Sequence, residues 1–225
     1  MPLSKKILSF LKNLDLKVEL PAEVKVMNPF KDQATFRLCE KFSKKYYINN
    51  NPRQLIFGIN PGRFGGGVTG IPFTDPVRLQ NSCGIENDFQ KRQELSSVFI
   101  YEMIHAFGGP EIFYGKFYIT AISPLGFIKN NKNLNYYDDR QLENSIKNFV
   151  VECINLQLEF GINHDIAFCL GEGKNFTYLS NLNNELKFFG KIISFPHPRF
   201  IMQYRLKKKE AYIQLYLQQF RNADL

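Results

Sequence analysis

The stretch Leu55-Ile-Phe-Gly-Ile-Asn-Pro-Gly-Arg-Phe-Gly-Gly-Gly-Val-Thr-Gly-Ile-Pro-Phe73 joins a short apolar run, a polar Asn60, a Pro-Gly break, a glycine-dense loop and a final aromatic residue. The apolar run is typical of a buried β-strand. The glycines let the backbone pass close to a ligand, and Phe73 offers a flat apolar face. Binding sites in open α/β folds lie at the carboxyl ends of the strands. The stretch therefore predicts a strand that delivers the Asn60 amide to the mouth of a pocket.

Three more runs of this kind follow in the chain. The four predicted strands are Leu55–Asn60, Phe117–Ser123, Asp165–Gly171 and Lys191–His197. Each run is almost continuously apolar, which is typical of strands buried on both faces. Helical patterns separate the runs, and this alternation favours parallel strands joined by right-handed crossovers. The sequence thus predicts a three-layer α/β/α fold with a four-stranded, mostly parallel central sheet.

Apolar residues at a period of 3.6 predict the helices. The predicted helices are Lys5–Leu14, Thr35–Tyr47, Leu95–Phe107, Leu142–Ile154, Phe176–Phe189 and Ile213–Phe220. The first two form an N-terminal helical extension of about residues 1–50, within a single domain expected to span residues 1–225. The Asn-rich segment Lys129–Tyr137 is predicted to be an exposed loop.

Composition narrows the class of protein. The 225 residues carry a formal net charge of +8, which favours a polyanionic partner, nucleic acid first, although a soluble protein can simply be basic. The cysteines Cys39, Cys83, Cys153 and Cys169 are far apart and form no C-x-x-C pair, so we expect no metal and no cofactor. The N-terminus lacks a signal-peptide pattern and no segment is long enough to span a membrane. A cytoplasmic protein, monomeric and not bound to membranes, is expected.

The strand ends carry the candidate chemistry. Asn60, Ser123 and His197 each follow or end a predicted strand, so a parallel sheet would bring them together at one edge. Each has a structural alternative: Asn60 as a turn former, Ser123 as an ordinary strand exit, His197 as a core histidine. Phe73 could equally be a core residue. The functional interpretation depends on their joint occurrence, because the glycine run matches neither common phosphate-binding pattern.

This combination resembles the uracil-DNA glycosylase superfamily, and within it the single-strand-selective monofunctional uracil-DNA glycosylases. The matching stretches are Gly58–Gly62, Gly70–Phe73, Ser123-Pro-Leu125 and His197-Pro198. The resemblance implies a glycosylase that removes uracil or another deaminated base from single- or double-stranded DNA in base excision repair. It implies that Asn60 positions the attacking water, that Phe73 stacks on the flipped base, and that His197 donates a hydrogen bond to a base carbonyl.

Two departures from the family pattern concern the choice of base. The family usually has an Asn where this chain has Ala121, so base recognition would fall to backbone groups, to Ser123, or to no strict contact. Gly62 is a further candidate base-binding residue. The sequence after His197-Pro198 also differs, as in a divergent bacterial branch that accepts hypoxanthine or xanthine. No lysine stands in the motifs to form a Schiff base, which favours a monofunctional enzyme.

Basic and apolar residues after His197 are predicted to bind DNA. The predicted contacts there are Arg199, Phe200, Met202, Arg205, Lys207 and Lys208, and Arg63 beside the pocket loop is a further predicted contact. Phe200 or Met202 would wedge into the duplex, whereas the lysines could instead belong to a solvated helix face. A non-catalytic nucleic-acid-binding module and a nucleotide or nucleoside hydrolase remain the alternative functions.

Overall fold

The computed structural model describes residues 1–223 and contains two β-sheets. The strands are β1 (Val24–Met27), β2 (Gln54–Gly58), β3 (Phe117–Ala121), β4 (Gly126–Lys129), β5 (Lys132–Leu134), β6 (Ile166–Leu170) and β7 (Lys191–Phe195). The helices are α1 (Leu3–Asn13), α2 (Gln33–Tyr46), α3 (Gly66–Thr69), α4 (Pro76–Asn81), α5 (Leu95–Phe107), α6 (Pro110–Lys116), α7 (Arg140–Ser145), α8 (Lys147–Leu158), α9 (Lys174–Leu186), α10 (Pro198–Tyr204) and α11 (Lys209–Asn222).

The central sheet consists of four parallel strands in the order β3-β2-β6-β7, which confirms the predicted α/β fold. Its register places Gly58 beside Ala121 and Leu170 beside Phe195 at the carboxyl ends. The paired strands end before Asn60 and His197. Both residues therefore lie just beyond the carboxyl edge of the sheet, outside the backbone hydrogen bonds that pair its strands.

A second, antiparallel sheet of β1, β4 and β5 packs beside that edge. The prediction of an exposed loop over Lys129–Tyr137 is therefore wrong, because this segment contains β5. Lys129 pairs with Lys132 across a two-residue turn. The turn residues Asn130 and Asn131 have φ values of 51° and 54°, a conformation that asparagine tolerates and that tight hairpins need. Tyr136, which follows the hairpin, is completely buried.

An aromatic cluster fills the space between the sheet and the C-terminal helix. The Phe220 ring of α11 lies 4.8 Å from the rings of both Phe117 and Phe168, measured between centroids. Helices α1 and α2 bury Ile7 and Phe42 in the same core. Because burial of such side chains is the main favourable term in folding, these contacts hold the helices against the sheet.

The four cysteines are buried free thiols. Burial raises the pKa of the Cys153 and Cys169 thiols to about 12, so neither is a thiolate at neutral pH. Among the described residues, no helix has the length and apolar character needed to cross a membrane.

Candidate active site

The carboxyl ends of the parallel strands open into a cavity of about 660 Å³. Asn60 enters it from the segment after β2 and His197 from the segment after β7, while Phe73 lines it from the loop after α3. Gly62 and Ala121 also line the cavity. The structure thus brings together five residues that the sequence places in four separate segments.

Hydrogen bonds from the second sheet hold the Asn60 amide in one orientation. Its Nδ2 donates to the Leu134 carbonyl at 3.2 Å, and its Oδ1 accepts from the Tyr136 backbone N–H at 3.1 Å. These two partners define which amide atom is oxygen, because a carbonyl only accepts and an N–H only donates. One lone pair of Oδ1 remains for a water molecule. The chemistry of Asn60 therefore depends on the hairpin that the sequence analysis missed.

Asn175 joins this support to the central sheet, and no sequence motif predicts its role. Its Oδ1 accepts a hydrogen bond from the Tyr136 hydroxyl at 2.9 Å, and its Nδ2 donates to the Leu170 carbonyl at 3.3 Å. The side chain is 1 % exposed and lines the cavity. Buried polar groups whose hydrogen bonds are all made are held rigidly. This network therefore holds Tyr136 in place, and the Tyr136 backbone N–H in turn holds the Asn60 side chain.

Phe73 lies over a glycine at the end of β2. A Cβ at Gly58 would stand 2.9 Å from Cε2 of the Phe73 ring, so only glycine leaves room for the ring. Phe73 itself has a φ of 53°, which is unusual for a residue other than glycine. The Thr69 hydroxyl holds this loop by donating to the Thr74 carbonyl at 2.6 Å. An aromatic face kept in such a conformation is typical of a binding site.

His197 faces the same space as Phe73, with 5.9 Å between the two ring centroids. Its Nδ1 accepts a hydrogen bond from the Arg199 backbone N–H at 3.1 Å, as the cap of α10. The ring proton must then lie on Nε2. Burial, and secondarily the charge of Arg199, lowers the pKa of His197 to about 4. The imidazole is therefore neutral at physiological pH and presents one N–H donor.

Ser123 and the nearby Gly62 are placed differently. Ser123 is completely buried, and its hydroxyl donates to the Leu125 carbonyl at 2.8 Å rather than lining the cavity. Gly62 lies on the cavity wall, where a Cβ would stand 3.0 Å from the Asn133 amide of the hairpin. Ala121, where the family usually has an Asn, lines the cavity together with Tyr118, Ile119 and Thr120 of β3.

The predicted DNA-contacting residues divide into two groups. Arg199 and Phe200 line the cavity mouth, and Phe200 is 41 % exposed. The other five lie outside the lining: Met202 is half-buried against the core, Arg63 is half-buried, and Arg205, Lys207 and Lys208 are exposed. Arg205 places its guanidinium 5.2 Å from the centre of the Phe200 ring. Helix α10 thus presents an aromatic residue between cationic side chains.

Glu94 is an acidic residue of the cavity that no sequence pattern indicated. It precedes α5, and a Cβ on Gly65 would collide with its carboxylate, so the glycine makes room for it. Burial, and then the negative charge of Asp75, raises the pKa of Glu94 to about 7, while Arg199 acts in the opposite direction. Its charge therefore changes near physiological pH.

The site and the sheet together define a class of protein. A model of the uracil DNA glycosylase superfamily matches residues 45–221, and the chain belongs to that superfamily. The crystal structure of wild-type Pedobacter heparinus SMUG2 is similar to this chain, with a TM-score of 0.97 and 47% identity, over 100% of this chain and 99% of that chain. A search of curated proteins found no match. The resemblance identified from the motifs is confirmed.

Proposed function

We propose that this protein is a monofunctional DNA glycosylase that hydrolyses the N-glycosidic bond of uracil or another deaminated base. The observation that supports this most directly is the shared cavity of three groups. They are the fixed amide of Asn60, the Nε2–H donor of His197 and the ring of Phe73. An aromatic face, a neutral donor and a water-holding acceptor are what base removal needs.

The reaction breaks the bond between C1′ and the base nitrogen, and the bonding electrons leave with the base. His197 would donate a hydrogen bond to the oxygen on which the negative charge collects. Asn60 would hold a water whose oxygen bonds to C1′, and the water proton passes to solvent because an amide is too weak a base to take it. Phe73 would stack on the base after it leaves the helix.

A covalent intermediate on lysine is disfavoured by the cavity lining. Lys174 is the lysine that lines the cavity in the described part of the chain, and it is exposed. Its ammonium group lies 3.8 Å from the Asp138 carboxylate. A paired, solvated ammonium is a poor nucleophile. Hydrolysis without strand cleavage is therefore the proposed outcome.

The lining also supports a broad choice of base. Ala121 has no side-chain amide, and the Ser123 hydroxyl already donates a hydrogen bond to the Leu125 carbonyl. Neither side chain is therefore available to hydrogen-bond the edge of a base. We therefore propose that deaminated purines are accepted together with uracil.

A panel of oligonucleotides tests this function. Single-stranded and duplex DNA containing uracil, hypoxanthine or xanthine is incubated with the protein, and abasic sites are cleaved with alkali. We expect an abasic product from at least uracil and a rate lower by about 10²–10³ in His197→Ala, because one preorganised donor is lost. Asn60→Ala should show a comparable loss.

Matched controls are His164→Ala and Asn148→Ala, which change exposed residues outside the cavity. If the wild-type protein leaves every oligonucleotide of the panel uncleaved, the proposal is contradicted. Salt-sensitive DNA binding without any abasic product would identify a binding module instead.

A further inference from the structure

Thr74, the residue after Phe73, closes the turn that carries the cavity aromatic. Thr74 is completely buried, and its hydroxyl donates to the Pro72 carbonyl at 3.1 Å. Its backbone N–H donates to the Ile71 carbonyl at 3.2 Å. Thr74 does not line the cavity, whereas Phe73 does. The turn is therefore fastened from the side that faces away from the cavity.

Tyr101 of α5 ties this turn to the body of the protein. Its hydroxyl oxygen lies 3.0 Å from the Thr74 hydroxyl oxygen, and Tyr101 is 2 % exposed. Because the Thr74 proton already goes to the Pro72 carbonyl, the Tyr101 hydroxyl is the donor in this pair. Burial raises the pKa of Tyr101 well above its ordinary value, so the phenol keeps the proton that it donates.

Two further buried groups hold the Tyr101 hydroxyl in place. The Tyr114 hydroxyl lies 3.2 Å from it and the Cys83 thiol 3.1 Å from it. Since the Tyr101 proton is directed at Thr74, both of these neighbours donate to the Tyr101 oxygen. Connected hydrogen bonds in a buried setting strengthen one another and fix the orientation of their members. The bond from Tyr101 to Thr74 is therefore held in one geometry.

The backbone conformation of Phe73 explains why the turn needs this support. Its φ of 53° lies in the left-handed region, which bulky residues avoid and which persists only where the surroundings hold it. In this conformation the ring lies over Gly58 and faces His197, with 5.9 Å between the ring centroids. Relaxation of the turn would move the ring away from that position.

We infer that Tyr101 is a positioning residue for base excision: through Thr74, its hydroxyl holds the Phe73 ring where a flipped base stacks on it. This role rests on the proposed glycosylase function. Tyr101 does not line the cavity, so it acts on the reaction through Phe73. Loss of its hydroxyl should slow excision and leave the affinity for undamaged DNA unchanged, because no flipped base is then present to stack.

A double-mutant cycle with the full chain tests this role. The single-turnover excision rate is measured on an oligonucleotide that contains uracil. Tyr101→Phe should lower the rate by about 3- to 10-fold, the factor that one ordinary hydrogen bond supplies. In the Phe73→Ala background the same change should have no further effect, because the ring that it positions is gone. Equal losses in both backgrounds would show a general structural role and overturn the inference.

Thr74 offers conservative variants at the other end of the hydrogen bond. Thr74→Val removes the hydroxyl and keeps the shape, so it should reproduce the loss seen in Tyr101→Phe. Thr74→Ser keeps the hydroxyl and should retain the wild-type rate. The matched control is Tyr212→Phe, which removes a hydroxyl from α11 outside the cavity lining. Urea denaturation checks that the variants remain folded, and a loss in Tyr212→Phe equal to that in Tyr101→Phe contradicts the inference.

Fluorine NMR separates this inference from the proposed function, because it needs no activity. In protein labelled with para-fluorophenylalanine, the Phe73 resonance is the one that disappears in Phe73→Leu. Thr74→Val should shift or broaden this resonance and Thr74→Ser should not; an unchanged resonance in Thr74→Val overturns the inference. If the resonance responds but no base is excised, the glycosylase proposal fails and the anchoring of Phe73 stands. If Tyr101→Phe excises at the wild-type rate, the inference fails and the glycosylase proposal stands.

Discussion

Glu94 is the residue whose charge the cavity controls most directly. Burial of its carboxyl group, and then the negative charge of Asp75, disfavours the ionised form and raises the pKa of Glu94 to about 7. Above that pH Glu94 would place a negative charge in the same cavity lining as Arg199 and Phe200, which are predicted to contact DNA. Arg199, which also lines the cavity, is the cation that counteracts this charge. A carboxylate in such a place costs stability when it ionises.

Glu94→Gln should make the protein more stable than the wild type as the pH rises. Between pH 4.5 and 7 the unfolded Glu94 loses its proton while the folded one keeps it, so the wild-type unfolding free energy falls through this window. We expect the difference in unfolding free energy to grow by about 1–3 kcal/mol in favour of Glu94→Gln between pH 4.5 and pH 8. Urea denaturation at both pH values measures it.

The exposed carboxylate of Glu19 supplies the comparison, as Glu19→Gln. A pH-dependent gain for Glu94→Gln no larger than that of the Glu19 variant would show that burial of Glu94 has no energetic consequence.

At the scale of elements, the strands of the central sheet were predictable and the second sheet was not. Four long apolar runs between helical patterns leave few alternatives to a parallel α/β sheet. Strands β4 and β5 have only four and three residues, and β4 is stabilised by pairing with β5 on one side and on the other with β1, which is distant in sequence. Propensity does not report such pairing.

The residues of the candidate site also fall into those that the sequence predicts and those that it does not. Asn60, Phe73 and His197 stand next to motifs, so the sequence indicated them. The supports of Asn60 are backbone groups of Leu134 and Tyr136, which leave no mark in the sequence. Glu94 was missed because only the tertiary structure brings it against a glycine of another loop.

Helix α10 carries the residue best placed to wedge into a duplex. Phe200 is exposed at the cavity mouth, whereas Met202 packs against the core. Phe200→Ala should lower the excision rate on duplex DNA by about 10-fold or more and lower it less on single strands, because unpairing costs a few kcal/mol only in the duplex. Single-turnover excision on both substrates measures the difference.

Leu206→Ala is the matched control for Phe200, since Leu206 is an exposed apolar residue just after α10 that does not line the cavity. Unchanged duplex and single-strand rates in Phe200→Ala would rule out the wedge.

At the scale of the whole molecule, the net charge of +8 should appear as a salt dependence of DNA affinity. Each neutralised phosphate contributes about 0.7 to the log–log salt slope for single strands. Lys207 and Lys208 are exposed and form no ion pair among the described residues. If both contact phosphates, the double variant Lys207→Gln/Lys208→Gln should flatten the slope by about 1 to 1.5.

A second double variant distinguishes the effect of total net charge from the effect of where the charges lie. Lys41→Gln/Lys44→Gln removes the same two charges from the exposed side of α2. If the basic cluster after α10 binds DNA, titrations between 50 and 200 mM salt should show the flatter slope only for the Lys207/Lys208 variant. Equal slopes in the two double variants would mean that the cluster is a solvated surface and that the affinity follows net charge alone.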